Sequence, residues 1–385
     1  MTARLQKLSL LLVSVIVLSS GVLLPSLPEI TQEYSKINST LVELLSTLPA
    51  LFTMLTVSFS PRLAEKLGYK QTVQLGLAIT LVSGFAPMVT SSFIWLFISR
   101  VSFGIGIGLF NPLLFSFSSS LYKGNELSSM IGFQSAFEGI GGILTSLLVA
   151  SLIAGGWRQT LWVYLIILPV LLLFSLFVPQ INGRKIAEQS NQVAKVKIDR
   201  TFWGFIVLLM ILITVYMSVS VKLTALLLEG GFGSAKDASL ALALMGLGAM
   251  SAGLLFGKAV LLFKHWLLPL ALAGMGLSLL SLGLTKSLAL VMLCNITIGL
   301  SFRSFIPYLM NLANQVSDGS GERRTALLLM GFNIGSAFAP VSIKILQNVL
   351  YLKEVKAIYL VEGVFLCLLA LGSVALLLLK NKNRK

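Results

Sequence analysis

Twelve apolar runs, each near the twenty or so residues that a helix needs to cross a bilayer, take up most of this 385-residue chain. They cover 8–28, 40–60, 71–92, 93–118, 128–154, 160–178, 202–228, 237–262, 266–285, 287–312, 324–349 and 356–379. Such a pattern predicts an all-α membrane protein with 12 transmembrane helices. The composition agrees, with 11% charged residues and a mean hydropathy of +0.92, where a soluble domain carries about 25% charged residues. The fourth and seventh runs are the longest, and tilt or overhang is expected there.

The net charge of +15 could point to nucleic acid, but its distribution points to the membrane. With both termini in the cytoplasm, 19 Lys and Arg fall on the cytoplasmic side, six on the outer side and four inside the spans. That asymmetry is the positive-inside rule and orients the chain. The lipid bilayer is the expected partner, with no nucleic acid, and the cell membrane the expected location. Arg4 and Lys7 ahead of an apolar run mimic a secretory leader. The run is of span length and ends in Pro25-Ser-Leu-Pro28 with no small-residue cleavage site, so an uncleaved first helix is expected. Cys294 and Cys367 fall inside spans and read as small apolar fillers. No metal-ligand spacing or nucleotide motif occurs, so no cofactor is expected and ATP is not expected to drive the protein directly.

One polar stretch, 179–200, breaks the pattern with Pro179, Asn182, Gly183 and five Lys/Arg. It reads as a cytoplasmic linker between a six-helix half at 1–178 and another at 201–385. The halves look like copies. A shift of 195 residues lays Gly104 on Gly299, Phe110 on Phe305 and Pro112 on Pro307, and puts Arg100 on Asn295. The same shift carries Phe137 onto Phe332 and Glu138 onto Asn333. Parallel repeats of this kind are a transporter architecture, with the binding site near mid-depth at the repeat interface.

Arg100, Lys222, Arg303 and Lys344 lie within apolar spans. A charge at mid-bilayer costs about 2.5–3.5 kcal/mol on insertion scales, so such residues imply partners or a water-filled path. Glu138 is the one acid near mid-span and the best candidate for a proton carrier, unless it forms a fixed pair with Arg100. Arg100 has a second reading, snorkelling to the outer surface. Asn295, Gly299 and Arg303 repeat the spacing of the fourth span and make Arg303 a cavity residue. Gln134, Phe137, Asn333 and Lys222 complete the expected solute-binding set, Lys222 with snorkelling as its other reading. Glu362 reads as an end-of-helix residue.

The loop Pro61-Arg62-Leu63-Ala64-Glu65-Lys66-Leu67-Gly68-Tyr69-Lys70 resembles the signature G-x-L-A-D-R-x-G-R-K of the major facilitator superfamily. It sits after the second span, where that family carries it, and departs at Pro61, Glu65 and Tyr69. Arg100-Val-Ser-Phe-Gly104-Ile-Gly106-Ile-Gly108 resembles the family's R-x-x-x-G-x-G motif in the fourth span. The Gly-rich fifth span, ending in Gly156-Trp157-Arg158, falls where the family's antiporters carry G-x-x-x-G-P-x-x-G-G, without the Pro. The resemblance implies the 12-helix fold and a gate at Arg62, Glu65, Lys66, Gly68 and Lys70. It also implies a part for Arg100 in proton coupling.

Together these observations predict a secondary transporter, not an enzyme, working by alternating access as a monomer. Its expected ligands are a small molecule and protons. Proton-coupled efflux of a small amphipathic compound leads, and uptake or exchange of an anionic metabolite is the alternative, since the deep bases outnumber the deep acids.

Overall fold

A computed structural model describes residues 2–181, 200–314 and 321–382. The chain divides into two units, Met1–Lys195 and Val196–Lys385. The inner part of the 179–200 linker lies outside the described residues.

The first unit holds α1 (Arg4–Glu33), α2 (Ser39–Val57), α3 (Tyr69–Phe85), α4 (Phe93–Leu121), α5 (Gly124–Leu152) and α6 (Trp157–Phe177). The second holds α7 (Arg200–Gly230), α8 (Ala235–Phe263), α9 (Leu267–Leu284) and α10 (Leu288–Asn314). It continues with α11 (Gly321–Ala337 and Ala339–Val349) and α12 (Val355–Lys382). Among the described residues ten helical stretches are long and apolar enough to cross a membrane. The other two helices are α3, at 17 residues, and α11, broken at Phe338. Pro340 sits in the first turn of the second α11 segment, where its missing N–H costs nothing.

Two boundaries differ from expectation. The first helix does not end at Pro25–Pro28; it tightens into a 3-10 stretch over Ser19–Ser26 and resumes as Leu27–Glu33. Pro28 falls in the first turn of that resumed segment, a place where proline is accommodated. The third span ends at Phe85 instead of 92, with a 3-10 turn at Ala86–Met88 around Pro87. Local chemistry sets other starts. Asn38 accepts from the Thr40 N–H (2.9 Å) to begin α2, and a reciprocal Ser234–Asp237 capping box begins α8.

Glycines set the close helix crossings. A Cβ on Gly104 or Gly108 would enter the backbone of α2 at Pro49 and Thr53, while one on Gly106 would strike Thr80 and the Gly76 carbonyl of α3. The Arg-Gly segment therefore serves two neighbours, α2 by its spacing of four and α3 by the glycine between. Thr53 Oγ1 donates to Gly104 O at 3.0 Å across the first contact.

The repeat is visible in these contacts. α4 begins at Phe93 and α10 at Leu288, 195 positions later. Gly299 meets the α8 backbone at Met245 as Gly104 meets α2. Gly141 of α5 lies against Val15 of α1, and Gly335 of α11 against Met210 of α7, the residue 195 positions beyond Val15. Phe110 and Phe305 are both fully buried.

Candidate functional site

In the first unit Arg100 is 0% exposed, so its guanidinium does not snorkel to the surface. Nη1 donates to the Tyr164 hydroxyl at 2.9 Å, Nη2 to the Ser83 carbonyl at 3.3 Å and Nε to Ser99 Oγ at 3.3 Å. It also lies 5.0 Å from the Phe103 ring centre and 5.6 Å from that of Tyr164. Gly84 makes this niche possible, because a Cβ there would fall 2.7 Å from the Tyr164 ring. The niche joins α3, α4 and α6 around a fixed positive charge held by neutral acceptors and two ring faces. Tyr164, Ser83 and Gly84 carried no signal in the sequence; they are ordinary residues until the fold brings them to Arg100.

Glu138 and Phe137 are half-buried midway along α5. Gln134 is buried, with Nε2 donating to the Leu114 carbonyl of α4 at 3.2 Å, while its Oε1 is without a partner among the described residues. This amide bolts α5 to α4.

At the end of this unit where α5 turns into α6, the Gly156-Trp157-Arg158 sequence forms a clasp with the end of α1. Arg158 donates to both Glu33 oxygens (2.8 and 2.6 Å), and Trp157 Nε1 donates to Glu33 Oε2 at 2.7 Å. Gly156 turns the chain with φ +96°. Tyr34, next along, donates its hydroxyl to Ser91 O, and burial with the Glu33 charge pushes that hydroxyl's pKa up.

The loop signature forms a short helix, Ser60–Leu67. Pro61 fits its first turn, so the departure from Gly is accommodated locally. Ser60 Oγ donates to the Leu109 carbonyl of α4, and Ala64 is buried, which seats the helix. Arg62, Glu65 and Lys66 are exposed, while Lys70 is half-buried at the head of α3. Gly68 adopts φ +99°, and a Cβ there would run into Gln71 and Gln180.

In the second unit Arg303 is half-buried midway along α10. In the chain it follows Phe302, whose ring stacks on Tyr216 of α7. Tyr216 stacks on Phe302 at 3.9 Å, and Phe302 meets Phe305 at 5.3 Å and Phe332 of α11 at 6.3 Å. Three helices thus contribute to one aromatic cluster beside one guanidinium. Nothing in the sequence singles out Tyr216 or Phe302; the alignment of Phe137 with Phe332 is the one hint it carries. Asn295 is 0% exposed, its amide donating to Val291 O of its own helix at 2.9 Å. The shared spacing of Asn295, Gly299 and Arg303 therefore has two ends, one buried where Gly299 meets α8 and one half-buried at Arg303. Lys222 and Asn333 are half-buried, and Lys344 is exposed.

Glu362 differs from expectation. It is 5% exposed inside the second unit, with the Ser218 hydroxyl of α7 as partner at 2.5 Å. Its position eight residues into α12 resembles an end-of-helix carboxylate; packing against α7 and α9 buries it.

The model of the Major Facilitator Superfamily matches residues 9–229. A Bacillus subtilis (strain 168) protein, the uncharacterized transporter YycB, is 30% identical over 154 residues, or 39% of this chain. The match spans 37% of that relative's length. The nucleoside transporter NupG shares the fold with a TM-score of 0.80 at 14% identity, covering 96% of this chain and 99% of its own. A bacterial homologue of the human lysosomal transporter Spinster gives 0.72 at 16% identity, covering 97% and 96%. A D-xylose–proton symporter gives 0.69 at 17% identity, covering 96% of each chain.

Proposed function

The chain belongs to the Major Facilitator Superfamily, and from that premise we propose that it is a secondary transporter working by alternating access, exporting a small amphipathic compound in exchange for protons. The observation that carries the solute class is the cluster of Tyr216, Phe302, Phe305 and Phe332 beside Arg303. Ring faces suit a flat apolar body, and a half-buried guanidinium suits an acceptor or anionic group on it. Lys222 and Asn333, half-buried in the same unit as the cluster, are assigned to the same solute. Glu138, half-buried at mid-span, is the proposed proton carrier, and Arg100 supplies a fixed positive potential. The exposed face of Arg62, Glu65 and Lys66, turned by Gly68 into Lys70, is the proposed gate. The proposed halves are 1–178 and 201–385 joined by the linker 179–200, in the cell membrane with both termini inside, as the 19-to-6 distribution of basic residues supports.

The guanidinium at mid-α10 also favours a second reading, uptake or exchange of an anionic metabolite. Both readings are tested on purified protein. Ring-bearing acids, neutral compounds and cations are screened for thermal stabilisation, since a ligand at a hundredfold its Kd adds about 2.7 kcal/mol. Hits are then followed in proteoliposomes under proton gradients of either sign. Export requires solute movement opposite to the proton gradient. Movement with it supports the second reading, and a preference for bulky cations that Arg303→Ala leaves unchanged sinks the assignment of the cluster.

A further inference from the structure

The second unit holds an acid to which the reading above gives no role. Glu362 is 5% exposed on α12, and Ser218, 0% exposed on α7, is its hydrogen-bond partner. Among the described residues no cation lies in ion-pair contact with it. α9, packed along α12, has no ionisable side chain between Leu267 and Leu284. On α12 itself Tyr359 lies one turn away, with its hydroxyl directed to the Val219 carbonyl of α7 at 3.4 Å. α7 offers Lys222, one turn from Ser218, and Glu229 at the outer end, where it accepts from the Val355 N–H. α11 offers Lys344, which is exposed.

A carboxylate in this seam would rest on a single hydroxyl donor in an apolar surrounding, an expensive arrangement. The acid form fits. Ser218 Oγ is 2.5 Å from Glu362 Oε2 and 2.8 Å from the Val215 carbonyl. A hydroxyl has one hydrogen to give. With a proton on Glu362, the acid donates to Ser218 Oγ and Ser218 donates to Val215 O, so both polar groups are satisfied.

We propose that Glu362 is a proton-binding site, a neutral acid whose proton bridges α12 to α7 through Ser218. A cavity of about 720 Å³ opens among the outer ends of α7, α9 and α12, lined by Glu229, Lys286, Glu354, Lys356, Leu226 and Leu360 among others. Leu360, on its lining, lies two residues before Glu362 on α12. Loss of the proton leaves a charge in the seam and favours arrangements that bring water or a cation to it. Any use of this proton in turnover rests on the transport reading; its binding does not.

The test is infrared spectroscopy of the full chain in lipid nanodiscs without solute, titrated from acid to alkaline pH. A carboxylic-acid C=O band should be present at neutral pH, vanish on alkalinisation and be missing from Glu362→Gln, whose amide replaces the donor to Ser218. Ser218→Ala keeps the acid and should shift the band by removing its acceptor, so the proposal stays testable if the Gln variant folds poorly. A band unchanged in both variants overturns it, as does a wild-type spectrum in which Glu362 is ionised by Lys222. Failure to transport any solute would overturn the functional reading and leave the band as it is.

Discussion

Tyr164→Phe isolates one atom in the Arg100 niche. The ring, its 4.9 Å contact with Phe103 and its face toward the guanidinium all survive. The loss is the acceptor for Arg100 Nη1 at 2.9 Å. Arg100 is 0% exposed, so no water replaces it at the surface. Hydrogen bonds to charged groups contribute about 1.5–3 kcal/mol, against an average of about 0.6 kcal/mol for bonds between helices in membranes. The expected cost is about 2 kcal/mol, roughly a 30-fold change in the unfolding equilibrium. For a unit of this size that is a fall of about 4–8 °C in Tm. Thermal unfolding can be followed by tryptophan fluorescence, because Trp95, Trp157 and Trp162 report on this unit. The decisive arm is a double-mutant cycle with Arg100→Met. In that background the hydroxyl has no cation to serve, and Tyr164→Phe should cost close to nothing. Equal losses in both backgrounds would refute the claim that the hydroxyl acts through the charge.

Gly104→Ala and Gly299→Ala should each destabilise by about 1–3 kcal/mol, because a new Cβ enters a neighbouring backbone that cannot give way. Gly253→Ala, with nothing within 4 Å, should be neutral or slightly stabilising in the same thermal assay. Glu33→Gln should cost about 0.2–1 kcal/mol, since both partners of the Arg158 pair are about a third exposed; the deficit should shrink as salt rises, and an effect independent of salt would assign the clasp to its Trp157 bond.

The class, the approximate spans and the doubling of the chain were all legible in the order of residues. The physical reason is solvent: hydrocarbon accepts a backbone only when its polar groups are paired within the helix, so twelve apolar runs leave little other choice. The repeat was legible because the same close crossings need the same small residues, Gly104 against α2 and Gly299 against α8, at one offset. Side-chain roles were less legible, because a charge in an apolar run shows that something must compensate it without showing what. Arg100 is compensated by a tyrosine 64 positions away and by a carbonyl, and the Glu362 carboxyl is met by a serine 144 positions away. Neither partner is unusual in sequence. The same holds for the aromatic cluster, where Tyr216 and Phe302 come from helices far apart in the chain. Only packing decides which ordinary polar or aromatic residue meets a deep charge, since those contacts depend on how neighbouring helices rotate about their axes. That rotation is fixed by glycine crossings and side-chain fit, and a hydropathy pattern does not carry it.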